Sequence, residues 1–251
     1  MITTPSRFQL AIFEHAQNIV EAGAANLAVE AVAGSGKSST LIEICDRLPR
    51  RVRGTVVSFG ADVAEHMRKQ LPPGRGHQAL TAHALCRRAW LRRLGAGDIT
   101  VDKDKVRGML QIAVQAGRLD QKATPPGQIR MLVDAARGRG LVPEGTPGMT
   151  GLVQDNEREW AGLMADLDIE ARDPNALMAA ARRALKVCIA QSGGTIDFQD
   201  MLYMPILTDG VSFPSTDLAM VDELQDLDPL QRRMVEMVGV SSGGFIGVGD
   251  P

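Results

Sequence analysis

Short apolar runs bounded by glycine or polar residues recur at Leu27–Val32, Thr55–Phe59, Ala79–Ala82, Leu218–Asp222 and Phe245–Val248, and each predicts a strand. Several are apolar throughout instead of alternating, which suits parallel strands covered on both faces. Between them, apolar residues return at helical spacing over Arg7–Glu21, Lys37–Leu48, Ala61–Leu71, His83–Leu94 and Pro229–Val238. Strand alternates with helix, so the outer thirds predict an α/β parallel sheet. From about Gly95 to Gly194 the strand pattern vanishes. Helices are predicted there near Lys103–Ala116, Pro126–Ala136, Glu157–Asp166 and Asn175–Gln191, separated by breaks at Thr124–Gly127 and Val142–Gly148. The division this predicts is a sheet domain in two parts, 1–94 and 195–251, with a helical subdomain inserted over 95–194. A poorly ordered linker is the competing reading, and the repeated helical spacing argues against it.

Composition narrows the picture. The chain has 251 residues, 44% apolar and 23% charged, enough to bury a substantial core and too apolar for wholesale disorder. Its net charge of −2 excludes a polycation that holds nucleic acid by bulk charge, so any such contact must use local patches. No apolar run approaches the ~18 residues needed to span a bilayer. The N-terminus MITTPSRFQL lacks the apolar core of a signal peptide, which predicts a cytoplasmic protein. Cys45, Cys86 and Cys188 are far apart and, with His15, His66, His77 and His83, match no metal-ligand spacing; they read as reduced thiols.

The strongest chemical signal is Ala31–Ser38, AVAGSGKS, lying directly after a strand pattern and directly before a helical one. A glycine-rich turn lets backbone N–H groups converge on phosphate oxygens where side chains would obstruct them. The helix that follows starts at the anion, where its free N–H groups and dipole favour negative charge. Ala33, Gly34, Ser35, Gly36, Lys37, Ser38 and Ser39 are therefore candidate nucleotide-binding residues. Lys37 would reach the terminal phosphates and the Ser38 hydroxyl would hold Mg²⁺. The strict pattern opens with glycine where this chain has Ala31, a small residue that serves at that outer position.

Such a loop needs a metal-orienting acid on a neighbouring strand, and Leu218–Asp226, LAMVDELQD, supplies an apolar run ending in carboxylates. Asp222 at the strand end would hold Mg²⁺ through its water shell. Glu223 would accept a proton from the attacking water as general base. With Lys37 these form the candidate catalytic set, and the cofactors they imply are ATP and Mg²⁺. A small-molecule phosphotransferase shares the loop but does not require the DELQD form.

Taken in order, these segments resemble the UvrD/Rep-like superfamily 1 DNA helicases. Gln9 in SRFQLAIF resembles the glutamine that reads adenine ahead of the phosphate loop. VVSFGADVAEHM at Val56–Met67 resembles the motif whose aromatic, here Phe59, contacts single-stranded DNA. TAHAL at Thr81–Leu85, with Thr81 and His83, resembles the Thr-x-His-Ser segment. IDFQDML at Ile196–Leu202 resembles the Asp-Phe-x-Asp segment, VDELQD the metal-binding motif, and GVGDP at Gly247–Pro251 the start of the Gly-Asp-Pro-x-Gln motif. The resemblance implies a P-loop NTPase (RecA-like) fold, ATP-driven 3′-to-5′ movement on single-stranded DNA, and Gln225, Asp226, Gly249 and Asp250 as coupling residues. It also implies a second RecA-like lobe, absent from this chain, whose arginine would stabilise the transferred phosphoryl group; the chain then reads as an N-terminal lobe.

Departures from the pattern are Gly60 and Ala61 after Phe59, where asparagine or lysine is usual, and Ala84 in place of serine after His83. For His83 a DNA or coupling role and a satisfied structural role both stand. The basic clusters Arg47, Arg50, Arg51, Arg53 and Arg87, Arg88, Arg92, Arg93 read more simply as solvated faces than as DNA contacts. Asp197 and Asp200 read as caps of a helix. A non-motor module that binds ATP, DNA or a partner protein remains the alternative function.

Overall fold

A computed structural model describes residues 4–32 and 34–251. In chain order, helix α1 (Arg7–Ala22) leads to strand β1 (Leu27–Glu30), α2 (Lys37–Arg47), β2 (Gly54–Ser58), α3 (Ala61–Gln70), β3 (Gln78–Thr81) and α4 (Ala82–Leu94). Next come β4 (Thr100–Val101), α5 (Lys105–Gln115), α6 (Pro126–Gly138), α7 (Glu157–Asp166), α8 (Pro174–Gln191), β5 (Thr195–Ile196) and α9 (Phe198–Leu207). Strand β6 (Leu218–Val221), a 3₁₀ turn at Leu224–Asp226, α10 (Pro229–Ser241) and β7 (Phe245–Gly249) complete the order. Contacts divide the chain into two compact units: residues 1–88, 212–227 and 232–251, and residues 89–211 with 228–231.

The first unit is built on a five-stranded, wholly parallel sheet of order β1-β7-β6-β2-β3. The expected α/β fold with a parallel sheet is therefore present, in the arrangement of a RecA-like P-loop NTPase. Strand β6, Leu-Ala-Met-Val, lies between two neighbours and is buried at every position, whereas edge strand β1 alternates between half-buried and exposed. Phe13 and Ile19 of α1, Leu41 and Ile44 of α2, Val56, Met67, Met220, Ile246 and Val248 form one continuous core. Each such side chain contributes on the order of 1.5–3 kcal/mol by leaving water. Helix α1 starts with a reciprocal cap: the Ser6 hydroxyl accepts the Gln9 N–H, and the Gln9 side chain accepts the Ser6 N–H. It stops at Gly23, which takes the left-handed φ of 66°.

The second unit is mainly helical, with α6 packed on α8, α7, α9 and α5. Trp160, Ile129, Leu132, Leu163, Leu177 and Leu185 fill its interior. One expectation is corrected here. The stretch from Gly95 to Gly194 is not free of strand: Thr100–Val101 pairs in parallel with Thr195–Ile196. Two residues per strand, with Thr100 and Val101 both exposed, are too few to generate an alternating pattern. Asp197 and Asp200 do cap α9, each side chain accepting the other's backbone N–H. They also carry a buried ion cluster: Lys105 Nζ lies 2.6 Å from Asp200, and Arg137 Nη1 lies 2.9 Å from both Asp197 and Asp200. Among the described residues no helix is long and apolar enough to cross a membrane.

Candidate functional site

All five strands of the sheet run the same way, so their carboxyl ends share one edge, where ligands of open α/β sheets bind. The phosphate loop follows β1, Asp222 follows β6, Asp250 follows β7, Phe59 follows β2, and Thr81 ends β3. Because β7 lies next to β1 and β6 next to β7, residues more than 180 positions apart in the chain become neighbours at that edge.

The loop turns on glycines. Gly34 and Gly36 have φ of 77° and 84°, a region costly for side-chain-bearing residues, and Gly36 forms the N-cap of α2. Among the described residues no side chain caps that helix, so the N–H groups of its first turn lack a side-chain acceptor. Ala33 lies outside the described residues. Gly34, Ser35 and Ser39 are exposed along the loop and first turn. Gln9 reaches this loop, with its Nε2 donating to Thr40 Oγ1 at 3.1 Å.

Lys37, Ser38, Asp222, Glu223 and Asp250 form one contact cluster. Ser38 Oγ donates to Asp222 Oδ2 at 2.7 Å. Lys37 Nζ lies 3.2 Å from Glu223 Oε2 and pairs with Asp250 Oδ1. The Asp250 carboxylate, with Glu223 adding to it, holds the Lys37 pKa above the ordinary lysine value against the opposing effect of burial. Burial pushes the Asp222 carboxyl above the usual aspartate range; the Ser38 hydroxyl and Lys37 oppose this, and the Glu223 charge adds to it. A buried carboxylate compensated so incompletely favours an added cation. Its hard oxygen beside the Ser38 hydroxyl is the donor set magnesium takes, with phosphate and water oxygens completing the shell. The residues present therefore fit a magnesium nucleotide. Among the described residues no group of three or more His, Cys, Asp or Glu side chains could hold a metal by itself.

Glu223 has φ 59° and ψ 52°, the left-handed region, although it is not glycine. Such a backbone costs about 1–3 kcal/mol and persists only where the surroundings impose it. The Glu223 N–H donates to Asp222 Oδ1 at 3.1 Å, and Gln225 Nε2 donates to Glu223 Oε2 at 2.8 Å and to Asp226 Oδ2 at 3.1 Å. Gln225 Oε1 in turn accepts the Asp250 N–H at 2.9 Å, tying the turn after β6 to the end of β7. A Cβ on Gly249 would stand 2.8 Å from that Oε1, so the glycine permits the bridge.

Phe59, Thr81 and His83 do not join this cluster; they sit at the ends of β2 and β3. Phe59 is half-buried. The Thr81 hydroxyl accepts the Ala84 N–H at 3.0 Å, capping α4. Burial pulls the His83 pKa below the ordinary histidine value, which keeps the ring neutral. Arg47 pairs with Glu43 and lies over the Phe13 ring, and Arg88 donates to Gln78, so both are engaged within the fold.

Two contacts escaped the sequence reading. The Lys37–Asp250 pair joins residues assigned separately to phosphate and to coupling. Thr40 was not singled out at all, although its place four residues after Gly36 is the spacing at which a helical threonine bonds back to a carbonyl; its Oγ1 donates to Gly36 O at 2.9 Å. A family model described as an AAA domain matches residues 15–251, which leaves Gln9 outside the match. No curated protein matches the chain.

Proposed function

Since the chain belongs to the AAA domain family of P-loop NTPases, we propose that its first unit binds MgATP at the carboxyl edge of β1, β6 and β7 and hydrolyses it. We further propose that it does so as the N-terminal motor lobe of a UvrD/Rep-like DNA helicase, with residues 95–194 as an inserted subdomain. The observation that supports the nucleotide reading is the convergence of Lys37, Ser38, Asp222, Glu223 and Asp250 on one uncapped helix start.

In this reading Lys37 exchanges its two carboxylate partners for phosphate oxygens, and the first-turn N–H groups of α2 donate to the phosphate oxygens. Ser38 and Asp222 hold the metal, whose contribution is to neutralise charge on the phosphate oxygens. Released from Lys37, Glu223 accepts at Oε2 the proton of the attacking water. Gln225 keeps that carboxylate aimed and passes its displacement to Asp250 through the backbone N–H it accepts. Gln9 reads the base. Single-stranded DNA would lie across the ends of β2 and β3, with a base stacked on Phe59 and Thr81 and His83 beside it. Movement along DNA would need a second lobe closing on this one and supplying an arginine worth roughly 10³–10⁵ in rate. The alternative, a module that binds ATP, DNA or a partner protein without moving, would lack DNA-stimulated turnover.

Calorimetric titration of MgATP tests the core of the proposal. Lys37→Ala is expected to weaken binding at least about tenfold, the loss of one charge-assisted phosphate contact. Equal affinities in wild type and variant would remove the site from consideration.

A further inference from the structure

Gln9, Thr40 and Gly36 form a directed chain of hydrogen bonds whose polarity is fixed by chemistry. The Ser6 backbone N–H can only donate, so the atom facing it at 2.9 Å must be the Gln9 carbonyl oxygen, Oε1. That places Nε2 toward Thr40 Oγ1 at 3.1 Å. The Thr40 hydroxyl proton is committed to Gly36 O at 2.9 Å, so toward Gln9 this hydroxyl can only accept. Thr40 is buried at 5% exposure. The amide of Gln9 therefore cannot flip without losing both bonds at once.

Locked in this sense, the amide has one N–H and one carbonyl lone pair left to offer. Adenine presents a matching acceptor and donor at N7 and N6, whereas guanine presents two acceptors at N7 and O6. The Gln9 oxygen would then oppose the guanine O6 with no proton between them. A carrier of the amide's orientation thus becomes a carrier of base choice.

We infer that Thr40 is a positioning residue for purine selectivity: through Gln9 it makes the site discriminate adenine from guanine nucleotides, and through Gly36 it ties that choice to the phosphate loop. The inference rests on the nucleotide reading above. Its contribution is separable from phosphate binding, because Thr40 touches the loop only at a carbonyl, which phosphate does not need.

The test is a set of titrations with MgATP, MgGTP and magnesium tripolyphosphate on wild type, Thr40→Val and Thr40→Ser, each variant first shown by thermal melting to be folded. Valine keeps the shape and removes the hydroxyl; Thr40→Ala serves in its place should the valine variant not fold. The wild type is expected to prefer ATP, and Thr40→Val to lower the ATP-to-GTP affinity ratio by about tenfold, the scale of one bidentate base contact. Tripolyphosphate affinity should stay within about twofold, and Thr40→Ser should restore the ratio. An unchanged ratio in Thr40→Val overturns the inference alone, as does an equal loss for all three ligands, which would make Thr40 a part of the loop's scaffold. A wild type that binds none of the three overturns the nucleotide reading and this inference with it.

Discussion

The two units treat charge in opposite ways. In the helical unit Lys105, Arg137 and Asp200 are almost fully buried, at 1–2% side-chain exposure, and answer one another at 2.6–2.9 Å. In the sheet unit Lys37 is nearly as buried at 8%, yet its partners Glu223 and Asp250 stand 49% and 35% exposed. The first arrangement is closed to water and has no route for exchange. The second has partners that water can receive, so an incoming anion can replace them at small cost. Burial of a cation alone therefore does not mark a site; the exposure of its counter-ions does.

The largest effect should come from breaking the closed arrangement. Asp200→Ala leaves the buried Lys105 ammonium with no carboxylate and Arg137 with only Asp197 and Asp134, and is expected to destabilise the helical unit by about 3–5 kcal/mol. Denaturant unfolding followed by the fluorescence of Trp90 and Trp160, which both lie in that unit, measures it. A loss below 1 kcal/mol would mean that the cluster tolerates an uncompensated charge and that the contrast is false.

A smaller effect concerns Asp155, also in the helical unit. Burial alone would raise its pKa, but the Glu144 N–H at 2.8 Å, Trp160 Nε1 at 2.7 Å and Arg182 Nε at 2.8 Å together hold it below the usual aspartate value. A carboxyl whose pKa is lower when folded contributes stability that is complete above the unfolded pKa of about 3.9 and is lost as pH falls through the folded one. The helical unit should thus weaken on acidification below about pH 4, and Asp155→Asn should flatten that part of the curve. Parallel curves for the two proteins would remove Asp155 as a source of the acid sensitivity.

The smallest effect belongs to the sheet unit. Glu223→Gly relieves the left-handed backbone and should stabilise the fold by about 1 kcal/mol while ending turnover, a gain in melting temperature paired with lost activity. A destabilised Glu223→Gly would show that the exposed pair with Lys37 outweighs the strain.

Much of this was legible in the sequence wherever chemistry and pattern coincide within a few residues. The loop Gly34–Ser38 and the acids Asp222 and Glu223 stand at the ends of strand patterns, and the contact between them follows once β1 and β6 run parallel with only β7 between them. The pairing of Asp200 with Lys105 and of Asp197 with Arg137 was not legible, because 95 and 60 residues separate the partners and no periodicity links them. The left-handed backbone of Glu223 was hidden for another reason: non-glycine residues rarely adopt it, and its bonds to Asp222, Gln225 and Lys37 come from contacts that no local pattern shows. The strand pair Thr100–Val101 and Thr195–Ile196 was too short to leave a trace.

The order β1-β7-β6-β2-β3 carries a consequence for how the molecule is made. Its earliest and latest strands pair at one edge of the sheet, so a ribosome must release residues near 250 before β1 gains its only described neighbour. Until then Lys37 and Ser38 wait at the start of α2, after a strand with an open seam, and nascent chains short of β7 should hold the helices but no pocket. Closing so long a loop late is slow by its topology, which makes the growing chain most exposed to mispairing just before its nucleotide site comes into being.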